Sequence, residues 1–252
     1  MAELLFWPAI LGYGEAAIAY SSVRYSGIGT WGVRLGWIAQ TALLGTQAAR
    51  AEGFPWSSSA GSLNLFVWLV VGTYLIWGCQ PRYRLVGLAV MPLAALLFAV
   101  ARLGGGTALD ERSQYSSLFL FLHVGFALAA FAGFTLAAAL AGLYLVEERR
   151  LRRRAPDILR LKLPSLVLLE QLTGRTIAIS LPLLTVGLIS GFIRLHAAHG
   201  RIDALMGATL ATWLLYAGFV AVRPTGRLAA QLALAGFALV IVARVALAGS
   251  HF

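Results

Sequence analysis

Leu118-Phe119-Leu120-Phe121-Leu122-His123-Val124-Gly125 opens an apolar run that continues to Val146 and stops at Glu147-Glu148-Arg149-Arg150-Leu151-Arg152-Arg153-Arg154. The run holds 29 residues without a charge, more than the roughly 20 that a helix needs to cross a bilayer. A basic cluster at one end of such a helix is costly to translocate and stays on the cytoplasmic side. The helix is therefore expected to end inside, with His123 near the opposite, outward surface.

Working outward, seven more apolar runs appear, and the eight together cover about 3–20, 31–49, 62–79, 85–102, 117–146, 174–195, 204–222 and 228–248. Of the 252 residues 60% are hydrophobic and 12% charged. An ordinary soluble domain carries about 25% charge, so the composition predicts an all-α, polytopic integral membrane helix bundle in one transmembrane domain. The net charge of +10 would point to nucleic acid in a soluble protein. Here the excess sits in short loops between apolar runs, so it reports topology, and no nucleic-acid partner is expected. Alternation from the basic loop puts 14 of the 20 lysines and arginines inside and six outside. That predicts both termini outside, in the inner or plasma membrane. One cysteine, Cys79, excludes an internal disulfide or a CxxC pair. The first run carries Glu3 and Glu15 and lacks a basic leader, so it reads as a retained span.

Packing signals agree with a bundle in lipid. Gly125, Ala129, Gly133, Ala137 and Ala141 recur every fourth residue, a ridge that lets a neighbouring helix approach closely. His123 lies about 200° from the start of that ridge and need not share its seam. Pro92 and Pro182 fall inside spans, where neighbours can satisfy the freed carbonyls. Trp7, Trp31, Trp56 and Trp77 fall near span ends, as interfacial anchors do.

Four histidines exist, His123, His196, His199 and His251, and all map to the outward side. Imidazole suits iron, zinc and copper, while wet loop positions explain such histidines equally well. His196, His199 and Asp203 offer a short alternative metal cluster, which Gly200 interrupts. No HExxH, P-loop, GxGxxG or nucleophile elbow occurs, and no enzymatic activity is expected. Glu15 is the carboxylate deepest in a predicted span, a functional candidate by default with a structural role as its competitor.

Four stretches carry a family resemblance. Gly53-Phe54-Pro55-Trp56-Ser57 followed by Ser62-Leu63 resembles the "FPLSNLYESL" segment of cytochrome c synthesis proteins of the CcsA/ResC type. Leu120 to Gly125 looks like that family's outward-histidine helix. Leu169-Glu170-Gln171-Leu172-Thr173-Gly174-Arg175 through Leu181-Pro182-Leu183-Leu184-Thr185-Val186-Gly187-Leu188-Ile189-Ser190-Gly191 is similar to "LDxLSYRxIxxGFPLLTIGxxSG". Ala248-Gly249-Ser250-His251-Phe252 resembles the terminal "GLHSYGF". The resemblance implies haem held at the outer face between His123 and His251, with Arg244 and Arg194 placed to meet its anionic propionates. It also implies partners among cytochrome c assembly or haem-biosynthesis proteins, besides the lipid bilayer.

Two departures matter. His196-Ala197-Ala198-His199-Gly200-Arg201-Ile202-Asp203 stands where the family has the tryptophan-rich "WGxxWxWD". Gln40 stands where it has an intramembrane histidine. These departures bring the chain nearest to the HemX/YpjD-like, eight-span branch. They also keep open a membrane regulator or assembly partner in haem metabolism that no longer binds haem. A small-solute carrier is a third reading, but internal repeats would mark that class, and none is evident between residues 1–110 and 117–252.

Overall fold

A computed structural model describes residues 2–22, 25–51, 55–56, 58–78, 84–108, 121–153, 165–197 and 204–248. Among them the regular structure is helical, with no strand. Eight α-helices follow in order: α1 Phe6–Ala19, α2 Ser26–Arg50, α3 Ser59–Gly78, α4 Arg84–Leu103, α5 Phe126–Arg152, α6 Leu166–Ala197, α7 Ala204–Val222 and α8 Gly226–Ala248. A 3-10 turn, Ala2–Leu5, leads into α1, and a π turn, Phe121–Gly125, leads into α5. Each helix lies on one of the eight apolar runs. In lipid a helix satisfies its own backbone groups, so an apolar run of this length has little alternative.

Among the described residues four segments are long and apolar enough to cross a membrane: Ser59–Ile76, Val86–Leu103, Leu122–Arg152 and Leu166–Ile193. Met206–Val222 and Gly226–Leu239 are shorter apolar helices. α1 has 14 residues, about 21 Å at 1.5 Å per residue, which falls short of a core about 30 Å thick. α2 has 25 residues but interrupts its apolar character with Arg34, Gln40, Gln47 and several glycines and threonines. The described residues are thus all-helical, with four candidate membrane spans, consistent with a helical membrane protein.

The chain divides into two compact units, Met1–Val124 and Gly125–Phe252. In the first, α1 packs on α2 and α4, α3 packs on α4, and α2 meets α3. Gly12, Gly32 and Gly36 make the α1–α2 approach possible: a Cβ on Gly12 would come within 2.5 Å of the Gly32 carbonyl oxygen. Such close backbones replace hydrophobic burial as the cohesive force between helices in lipid. Phe98 of α4 fills the other side of α1, with ring centroids 5.0 Å from Phe6 and 6.2 Å from Tyr13.

In the second unit, α5 packs on α6 and α8, α7 bridges α6 and α8, and α6 touches α8. The small-residue ridge of α5 is used as expected. Ala137 and Ala141 are buried, a Cβ on Gly133 would run into Ser180 Oγ, and one on Gly187 would meet Ala127 at 3.2 Å. Pro92 and Pro182 lie inside α4 and α6. Ser58 and Ser165 cap α3 and α6 through Gly61 N (3.0 Å) and Leu168 N (3.3 Å), as N-cap serines do. A tight link joins α7 to α8. Arg223 (φ 51°) and Gly226 (φ 65°) both take left-handed backbone, and Gly226 N donates to Glu170 Oε2 at 2.9 Å.

Candidate functional site

His123 occupies the middle of the π turn Phe121–Gly125. A π turn takes one more residue per hydrogen-bonded ring than an α turn, and it concentrates at functional sites. His123 is half-buried, as are Leu122, Val124, Gly125 and Phe126 around it in sequence. It sits at the head of a continuous helical segment that ends in the arginine cluster of α5. The histidine and the arginines therefore mark the two ends of one long element.

The other candidates are less well defined. His196 is exposed in the last turn of α6. Arg194 lies in α6 and Arg244 in α8 by backbone, with side chains outside the description. His199, Asp203 and His251 lie outside the described residues, so the pairing of His123 with His251 does too. His123 belongs to the first unit and His196 to the second. Among the described residues no three of His, Cys, Asp and Glu stand together as metal ligands.

A different polar cluster does come together. Tyr13, Gln40 and Asn64 are fully buried and Gln47 nearly so. Tyr13 Oη donates to Gln40 Oε1 at 2.6 Å. Gln40 Nε2 donates to the Asn64 carbonyl oxygen at 3.1 Å and to Asn64 Oδ1 at 2.9 Å. Asn64 Nδ2 passes the chain on to Gly106 O (3.0 Å) and Gln47 Oε1 (3.4 Å). Gln47 Nε2 donates to Ala108 O at 2.7 Å and Gly106 O at 3.2 Å. Trp56 Nε1 closes on Gln47 Oε1 at 3.1 Å.

The glycine-rich turn after α4 is thereby fastened to α2, α3 and the segment before α3. Arg102 adds a bond to the buried Thr107 (3.0 Å) and stacks over Phe6 at 5.7 Å. Gln40 has its oxygen and its amide nitrogen engaged, so this position is a closed joint. The sequence does carry its signal: Gln40 and Gln47 are seven residues apart, two turns on one face of an apolar helix. Trp56, read above as an interfacial anchor, is half-buried and works instead as a donor to this joint. Trp7 and Trp31 are exposed, as anchors should be.

Comparison with known proteins gives a consistent picture. Residues 56–248 match a family model described as cytochrome C assembly protein. The chain is 26% identical to a protein named cytochrome c biogenesis protein CcsA from Microcystis aeruginosa, over 95% of this chain and 90% of that one. It is 27% identical to the protein of that name from Gloeothece citriformis, over 89% and 85%. To that of Synechococcus elongatus it is 28% identical, over 93% and 88%.

Proposed function

Because this chain belongs to the cytochrome c assembly protein family, we propose that it handles haem at the outer face of a cell membrane, presenting it for cytochrome c maturation or haem homeostasis. Relatives named cytochrome c biogenesis protein CcsA match this chain over nearly their whole length, which supports the role. In this reading the chain crosses the inner or plasma membrane eight times with both termini outside, in the manner of the HemX/YpjD-like branch. Haem is its cargo, and the chain catalyses no covalent step itself. Its partners are other cytochrome c assembly or haem-biosynthesis proteins.

The observation that carries the proposal is His123 on its π turn. Haem brings four nitrogen ligands of its own and asks a protein for one or two axial side chains. A half-buried imidazole at a helix head, amid apolar neighbours, fits that demand better than it fits a bare cation, which would need a cluster of ligands. His251 is the second axial candidate, with His196 and His199 as its alternatives. Arg194 and Arg244 are the candidates for the propionates.

Absorption spectroscopy of the detergent-purified chain from haem-replete cells tests the proposal. Wild type should show the intense porphyrin band, His123→Ala should lose or shift it at unchanged protein level, and added imidazole should restore part of it by refilling the axial position. A wild type without the band would leave the second reading, a regulator or assembly partner that has given up haem. The saturated joint at Gln40 favours that reading, since no ligating atom is available there.

A further inference from the structure

The outer face of α1 is an apolar stripe with one acid in it. Trp7, Leu11 and Ile18 are all exposed, and Glu15 is exposed on the same side. Its carboxylate leans toward α2: a Cβ on Gly32 would lie 3.3 Å from Glu15 Oε2. The acid therefore sits on the rim between α1 and α2, and on α2 the exposed Ile28 and Leu35 lie about one turn to either side of Gly32. Among the described residues nothing donates a hydrogen bond to it. Glu15 precedes Ala19, the last residue of α1, by four residues, about 6 Å along the axis. A carboxylate at that depth, on a surface that otherwise suits lipid, calls for a partner. Next to it Gly14 leaves a notch, since a Cβ there would meet nothing within 4 Å.

We propose that this face of α1 and α2 docks a transmembrane helix of another protein, one that carries an arginine or lysine level with Glu15. The charge selects the occupant: lipid chains offer no counter-ion, whereas a helix lying along the stripe brings its cation to the rim. The Gly14 notch lets the partner backbone come close, as small residues do at helix contacts in membranes. The inference does not depend on haem binding and needs only that α1 lies in the bilayer.

A synthetic leucine–alanine membrane-spanning helix with one arginine, placed four residues from the end of its apolar stretch, provides the test. The full chain and this helix are labelled and reconstituted in phosphatidylcholine vesicles, and association is read by energy transfer. The arginine helix should associate at least about tenfold more tightly than its all-leucine twin, a factor that corresponds to about 1.4 kcal/mol. Glu15→Gln should erase that difference, and Gly14→Ile should weaken both helices alike. Equal association of the two helices, or a preference that survives Glu15→Gln, would overturn the proposal. So would Glu15-dependent energy transfer between labelled copies of the chain itself, because the face would then belong to a second copy.

Discussion

At the scale of single residues, the chain closes one set of buried polar groups on one another. Gln40, Asn64 and Gln47 exchange hydrogen bonds until their amide oxygens and nitrogens are engaged. A buried donor or acceptor stripped of its partner costs about 1–3 kcal/mol. Gln40→Leu strands both the Tyr13 hydroxyl and Asn64 Oδ1, so it should lower the thermal midpoint in detergent by several degrees. Gln231→Leu, exposed on α8, should leave that midpoint nearly unchanged. Sequence reading finds Gln40 only as a position where a resembling family has histidine. That Gln40 pairs with Tyr13 27 positions back and Asn64 24 positions ahead depends on which helices become neighbours, and no local pattern encodes this. His123 is legible as a type and a depth, an imidazole near the head of a long span. Its π turn is not, because a widened helical turn leaves no mark on composition or periodicity.

At the scale of elements, the runs and the helices coincide closely where composition changes sharply. The run 204–222 is reproduced as Ala204–Val222, and 85–102 becomes Arg84–Leu103. They part where polar ends join the helix. α6 starts at Leu166 rather than 174, since Glu170, Gln171 and Thr173 fall within it, and α5 carries on past Val146 through the arginines to Arg152. Helices end where hydrogen bonding ends, while hydropathy ends where charge begins. The ridge on α5 was legible from its four-residue spacing and is tested by contrast. Gly133→Val forces a branched side chain into Ser180 and should destabilise by about 1–3 kcal/mol, read as a lower unfolding midpoint. Gly142→Ala, where a Cβ meets nothing within 4 Å, should be neutral or gain up to about 1 kcal/mol from helix propensity.

At the scale of the whole molecule, orientation rests on the basic segment that begins in the last turns of α5, and thiol labelling in intact cells checks it. With Cys79→Ser as background, Arg152→Cys should resist an impermeant reagent, whereas Ala108→Cys should react. Both sites are exposed. Thr107 would be an unsuitable reporter, being buried against Arg102. Losing Arg152 removes one exposed pair with Glu148 (2.8 Å), worth at most about 0.5 kcal/mol, so the reporter leaves the fold intact. The buried joint in the first unit also closes late in synthesis. Its members come from α1, α2, α3 and the turn after α4, and the last acceptor carbonyls belong to Gly106 and Ala108. A ribosome delivers Gln47 and Asn64 to the membrane well before it delivers those carbonyls. For that interval the nascent helices hold unsatisfied amides and must shelter them in the insertion machinery or against one another. The joint is therefore complete only once the turn after α4 has followed its three partner helices into place.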